Sequence, residues 1–146
     1  MRPPAPPRGV EAHCGAGSAN KGAGELQDLV VKPSNMPLYQ VVAKHVVESW
    51  NENGNCAVVV GATYPAELKR VREIIGDEIP ILIPGIGAQG GDLETTVKAG
   101  KNSKGQGMII NSSRGIIFAP NPKQATEDLN SKIQKIWKGK WLNFSI

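Results

Sequence analysis

A chain of 146 residues, 40% apolar and 21% charged, has the length and composition of one globular domain, and none of its apolar runs approaches the length of a membrane span. Its 17 Lys and Arg against 13 Asp and Glu leave a net charge of +4, which suits an anionic ligand, a nucleic acid and plain solubility equally. Cys14 and Cys56 lie far apart without metal or redox spacing, and the amino terminus lacks a signal-peptide core, so the cytoplasm is the expected compartment and export is not.

Residues 1 to 17 are rich in Pro, Gly and Ala and show neither helical nor strand periodicity, so a disordered or foreign start is expected there. The adjacent pair His13-Cys14 in this stretch has no companions that would make a metal site. Ser18 to Gly24 continues as loop. From Pro37 the pattern turns helical, with Leu38, Val41, Val42, Val46 and Trp50 at spacings of three and four and Gly54 just past the end. His45 falls on that face and reads as a core or boundary histidine rather than a catalytic one.

Cys56 to Val60 is a continuous apolar run that predicts a buried strand ending at Gly61. Pro65 opens a helix striped by Leu68, Val71 and Ile75 and closed by Gly76. Ile79 to Ile83 predicts the second buried strand. Asp92 can cap a helix through Val97 that ends at Gly100. Met108 to Ile110 is the third strand, Ile116 to Ala119 a short helical piece, and Pro120 and Pro122 then break the chain. A last helix carries Ala125, Leu129, Ile133, Ile136 and Trp137 on one side. Buried strands alternating with amphipathic helices predict an α/β fold with a parallel sheet. The strands recur every 23 to 28 residues or about that, the reach of a βα unit. Three strands are too few to close a barrel of eight, so the expected architecture is a partial (β/α)8, or TIM, barrel.

Two of these strands end in the same way. Ile81-Leu82-Ile83-Pro84-Gly85-Ile86-Gly87-Ala88-Gln89-Gly90-Gly91-Asp92 and Met108-Ile109-Ile110-Asn111-Ser112-Ser113-Arg114-Gly115 each pass from apolar residues into glycines and small polar residues ahead of a helix. Such turns expose backbone N–H groups to anions, and consecutive units of this kind form the phosphate site of many (β/α)8 barrels. Gly85 and Gly87 let backbone approach a ligand, Gln89 offers an amide, and Arg114 offers a fork for two phosphate oxygens, with the Ser113 and Arg114 amides beside it. The competing reading is that the glycines only make tight turns and Arg114 is a surface residue. The pairing of both motifs in consecutive units favours the cradle.

The strings Val59-Val60-Gly61-Ala62-Thr63-Tyr64-Pro65, Leu82 to Asp92, and Ile110-Asn111-Ser112-Ser113-Arg114-Gly115-Ile116 resemble orotidine 5′-phosphate decarboxylase of the longer bacterial-type branch, and Ser18 to Leu29 resembles the loop after that family's fifth strand. The resemblance covers roughly residues 18 to 137 and implies a TIM barrel that works as a homodimer, without a cofactor, converting orotidine 5′-phosphate to UMP and CO₂. By that resemblance Gln89 spans phosphate and pyrimidine, Arg114 binds phosphate with Ser113 beside it, Gly87 belongs to the phosphate loop, and Pro84 and Ile86 line the pyrimidine pocket. Asn20 and Ala19 fall where the family contacts the base. Ala19 stands in place of a hydroxyl residue and Lys21 in place of a proline.

The family's chemistry uses a Lys-Asp network centred on an Asp-x-Lys-x-x-Asp motif. None of Asp28, Asp77, Asp92 and Asp128 has a lysine two residues on. The resemblance therefore implies the C-terminal half of a carbon–carbon lyase of pyrimidine synthesis, residues 18–146, without catalytic residues of its own and inactive alone. The alternative is a non-catalytic phosphate-binding half-barrel that completes a barrel with another chain, such as a missing N-terminal half. A nucleic-acid surface built from Lys132, Lys135, Lys138 and Lys140 with Trp137 and Trp141 is outweighed by a solvated helix end, and no membrane partner is expected.

Overall fold

The computed structural model describes residues 12–17, 22–87 and 90–138. Four parallel strands form the sheet, β1 (Ala12–Gly17), β4 (Cys56–Val60), β5 (Ile81–Pro84) and β6 (Met108–Asn111), in that spatial order. Between β1 and β4 the chain makes a short helix α1 (Gly24–Gln27), a small antiparallel pair β2 (Val30–Val31) and β3 (Met36–Pro37), and helix α2 (Leu38–His45), whose end widens into a π turn over Val46–Trp50. Helices α3 (Pro65–Ile75) and α4 (Leu93–Gly100) link the following strands, and α5 (Ser113–Ile117) and α6 (Pro122–Lys138) close the described chain. This is part of a (β/α)8 barrel, and no helix among the described residues is long and apolar enough to cross a membrane.

The sheet has two unlike faces because side chains alternate along each strand. Val58 and Val60, Ile81 and Ile83, and Met108 and Ile110 point to the helices and pack with Leu68, Val71, Ile75, Val46 and Ala43 in one core. The opposite face carries Val59, Leu82 and Ile109, and Ile109 is 49% exposed. Pro65 occupies the first turn of α3, where its missing N–H costs nothing, and Asp92 caps α4 by accepting from the Thr95 amide at 2.8 Å.

Several expectations change. A strand occupies Ala12–Gly17, where an unstructured start was expected, so the sheet has four strands rather than three. Its backbone follows β4 from Ala12 opposite Cys56 to Gly17 opposite Val60, with a shift between Gly15 and Gly17. A ladder that an established strand templates needs no apolar pattern of its own, and Ala-His-Cys-Gly-Ala-Gly has none. His45 is exposed, not in the core. Its ring stacks on Trp50 at 5.6 Å, and Trp50 is itself 39% exposed; the residues of this helix that face the core are Tyr39, Val42, Ala43 and Val46, a stripe that leaves His45 outside. The short helix begins at Ser113 rather than Ile116, its first turn closed by the Ile116 amide on the Ser112 carbonyl. Lys132 and Lys135 are exposed, as a solvated helix face requires, while Trp137 is half-buried with its indole over Gly105. Lys140 and Trp141 lie outside the described residues.

The amino-terminal ends of β5 and β6 are fastened by one buried cation. Arg72 on α3 is 7% exposed and donates to four backbone carbonyls: Gly100 at 2.7 Å, Gly76 and Ile79 at 2.8 Å, and Gly107 at 2.6 Å. Two of these are the last carbonyls of α3 and α4, which have no partner within their own helices, so the guanidinium completes both helix ends at once. Burial pushes the Arg72 pKa down and nearby Asp77 pushes it back up, leaving a group that stays charged at any physiological pH. Asp77 ties the same two loops from outside, accepting from the Ser103 hydroxyl and from its amide at 2.9 Å.

Those contacts set the acid limit of the fold. The Ser103 hydroxyl and amide hold Asp77, and the Thr95 hydroxyl and amide hold Asp92, below the ordinary carboxylate value of 3.8. A carboxylate depressed on folding contributes stability that is present above its unfolded pKa and lost as pH falls through the folded one. The urea midpoint is therefore expected to be flat above about pH 5 and to fall below pH 4, with a shallower fall in Asp77→Asn/Asp92→Asn. An equal acid limb in the double variant would remove these two groups as its cause.

Candidate functional site

The turns after β5 and β6 emerge at the same, carboxyl-terminal end of the sheet. In the first, Gly85 takes φ +101, a value open to glycine and strained for other residues, and the chain reverses through hydrogen bonds from the Gly91 amide to the Gly85 carbonyl at 3.2 Å and from the Gly87 amide to the Gly91 carbonyl at 3.2 Å. Gly91 is needed for a different reason. A Cβ there would lie 2.6 Å from the Ala62 methyl and 2.8 Å from the Gly85 carbonyl oxygen, so the turn packs flat against the loop after β4. Asp92 then starts α4, and Thr96 in its first full turn is buried with its hydroxyl donating to the Ala62 carbonyl at 3.4 Å.

In the second turn Asn111 ends β6, and Ser112 bends the chain into α5. The Ser112 hydroxyl donates to the Ile86 carbonyl at 3.3 Å, which ties the two turns together. Ser113 donates its hydroxyl to the Asn111 side-chain oxygen at 2.7 Å, fixing both beside the mouth of the sheet. Between the turns lies an open cleft lined by Pro84, Gly85, Ile86, Asn111, Ser112, Ser113 and Arg114. Ile86 is buried and forms its floor, whereas Ser113 and Arg114 stand exposed at its rim. Among the described residues Arg114 is the one charged member of that lining, and no carboxylate belongs to it. A positive fork at the rim, hydroxyls beside it and the unbonded first-turn amides of α5 make a cleft that favours an anion with several oxygens.

Of the residues singled out in the sequence, Pro84, Ile86, Ser113 and Arg114 come together in this cleft. Gly87 sits on the same turn, outside the lining. Gln89 and Asn20 lie outside the described residues. Asn111 and Ser112 were not singled out, although they continue the small polar run that ends β6, and the position of that run at the strand's carboxyl end was the available signal. Among the described residues no group of three or more His, Cys, Asp or Glu side chains is placed to hold a metal. Cys56 is buried, and burial pushes its thiol pKa up, as suits a packing residue rather than a nucleophile.

Residues 18–129 match the model of the orotidine 5′-phosphate decarboxylase / HUMPS family. An orotidine 5′-phosphate decarboxylase of Janthinobacterium sp. is 54% identical over 114 residues, 78% of this chain and 40% of that relative. One of Cupriavidus metallidurans is 52% identical over 118 residues, 81% of this chain and 42% of the relative. The chain thus spans about 40% of the length of the curated relatives it matches. Among solved structures, Leishmania donovani UMP synthase superposes with TM-score 0.81 at 41% identity, covering 86% of this chain and 28% of that one. Leishmania donovani OMP decarboxylase gives 0.78 at 37% identity, covering 87% and 48%.

Proposed function

Because the chain belongs to the orotidine 5′-phosphate decarboxylase / HUMPS family, we propose that its cleft grips the 5′-phosphate of a pyrimidine nucleotide, orotidine 5′-phosphate or the UMP formed from it by loss of CO₂. One observation carries this reading: Arg114, Ser113 and Ser112 line one cleft with Pro84 to Ile86, and among the described residues that lining has a cation and no carboxylate. Two guanidinium N–H groups of Arg114 bind two phosphate oxygens, and the Ser113 and Arg114 amides add donors from the start of α5. Pro84 and Ile86 offer apolar surface to the base. Gln89 is assigned to bridge phosphate and pyrimidine, Gly87 to bring backbone close to the ligand, and Asn20 to meet the base. Residues 18–146 are assigned to the C-terminal half of the barrel.

In this division of labour the chain supplies binding rather than bond cleavage. Binding energy from the phosphate, remote from the reacting carbon, is what an enzyme uses to close and order a site around the chemistry. The proton donor to the carbon that loses carboxylate is the family's Lys-Asp network, whose motif is not in this sequence. No cofactor is called for, the proposed compartment is the cytoplasm, and the whole enzyme is assigned the family's homodimeric state.

Titration of the chain with UMP and with uridine tests the proposal. UMP is expected to bind at least tenfold tighter than uridine, equivalent to about 1.4 kcal/mol or more from the phosphate. Equal affinities would end the phosphate assignment. Incubation with orotidine 5′-phosphate is expected to yield no UMP, and turnover by the chain alone would overturn the assignment of catalysis to residues outside it.

A further inference from the structure

We propose that Ser112 is a positioning residue whose hydroxyl sets the spacing between the two walls of the cleft, so that phosphate and base are gripped together rather than separately. This role rests on the phosphate assignment above and adds to it the device that couples the two contacts. The ladder between β5 and β6 ends at Pro84 opposite Asn111. Past that pair the chains part, one reversing toward Gly91 and the other bending into α5. Among the described residues, the hydrogen bond that spans the two turns runs from the Ser112 hydroxyl to the Ile86 carbonyl at 3.3 Å.

Both partners are arranged for that bond. Ser112 is half-buried between the exposed Asn111 and Ser113, so its side chain turns inward where theirs turn out. It stands at the N-cap of α5, where a serine ordinarily accepts from an amide of its own first turn, yet it makes no such bond. The hydroxyl serves the neighbouring turn instead. On the other side, Gly85 and Gly87 use their backbone to hold Gly91, and strand alternation then aims the Ile86 carbonyl the opposite way, toward β6. Gly115 keeps the space clear, since a Cβ there would lie 2.7 Å from the Ser112 Oγ. Ile86 is the buried wall offered to the base, and Arg114, two residues past Ser112, is the cation offered to phosphate. Without the bond each wall keeps its own contact, but the distance between them is no longer fixed.

Titration calorimetry of the full chain with UMP, uridine and ribose 5-phosphate, which carries the phosphate without a base, tests the role. Ser112→Ala is expected to weaken UMP about fivefold or more, the order of one hydrogen bond, and ribose 5-phosphate by less than about twofold. Ser112→Thr keeps the hydroxyl and is expected to restore UMP binding. Gly115→Ala separates position from stability. Alanine suits a helix better than glycine, so the urea midpoint is expected to hold or rise, while the crowded hydroxyl leaves Ile86 and UMP weakens as in Ser112→Ala. UMP bound by Ser112→Ala at the parent affinity, or an equal loss for UMP and ribose 5-phosphate, would overturn the positioning role and leave the phosphate assignment standing. A parent chain that binds UMP no tighter than uridine would instead end the phosphate assignment, and the positioning role with it.

Discussion

Arg72→Met is expected to remove on the order of 4 kcal/mol of stability, a loss at the scale of breaking a buried charge network and a large share of the total for a domain this size. Four carbonyls lose their donor together, and two of them, those of Gly100 and Ile79, are bonded at buried positions. Methionine keeps most of the volume, so the effect reports the hydrogen bonds rather than a cavity. Arg72→Lys is expected to recover only part of the loss, because a single ammonium cannot reach acceptors from four directions. Urea unfolding followed by circular dichroism measures it. A methionine variant within about 1 kcal/mol of the parent would mean that the loops at the strands' amino-terminal ends hold without the clasp.

Arg114→Ala is expected to weaken UMP binding about 100-fold while leaving the urea midpoint in place. Two charge-assisted hydrogen bonds to phosphate, at about 1.5 kcal/mol each, account for that factor. The side chain is exposed, so its removal empties no core. Arg114→Lys is expected to keep the charge but lose the fork, and to fall between the two. Ser113→Ala is expected to cost only a few-fold, since the proposal assigns that residue's contribution mainly to its backbone amide. Binding of UMP to Arg114→Ala at the parent affinity would take the phosphate out of this cleft.

How much of this was readable in the sequence depended on where the physics resides. β4, α3 and α4 announce themselves, because Cys56 to Val60 is unbroken apolar chain and Leu68, Val71 and Ile75 repeat at helical spacing between Pro65 and Gly76. The cleft was legible for a similar reason, as both of its turns combine glycine or serine with the end of a buried strand. β1 was not, because its order comes from hydrogen bonds to β4 and not from its own side chains. Arg72 was missed although a signal existed. It stands four residues after Leu68 and three before Ile75, on the apolar stripe itself, where a cation has to find partners inside. Arg70, two residues earlier, is the contrast: exposed and paired with Glu73 at 3.0 Å. His45 failed in the opposite sense, since the stripe that meets the core runs through Tyr39, Val42, Ala43 and Val46 and leaves the histidine to solvent.

The clasp and the cleft sit at opposite ends of the same strands. A lineage, or a laboratory library, can therefore rewrite the serine-arginine and glycine turns wholesale in search of a new specificity while the anchorage below goes untouched. Drift at the clasp has no such freedom, because any change to Arg72 is felt by both helix ends at once.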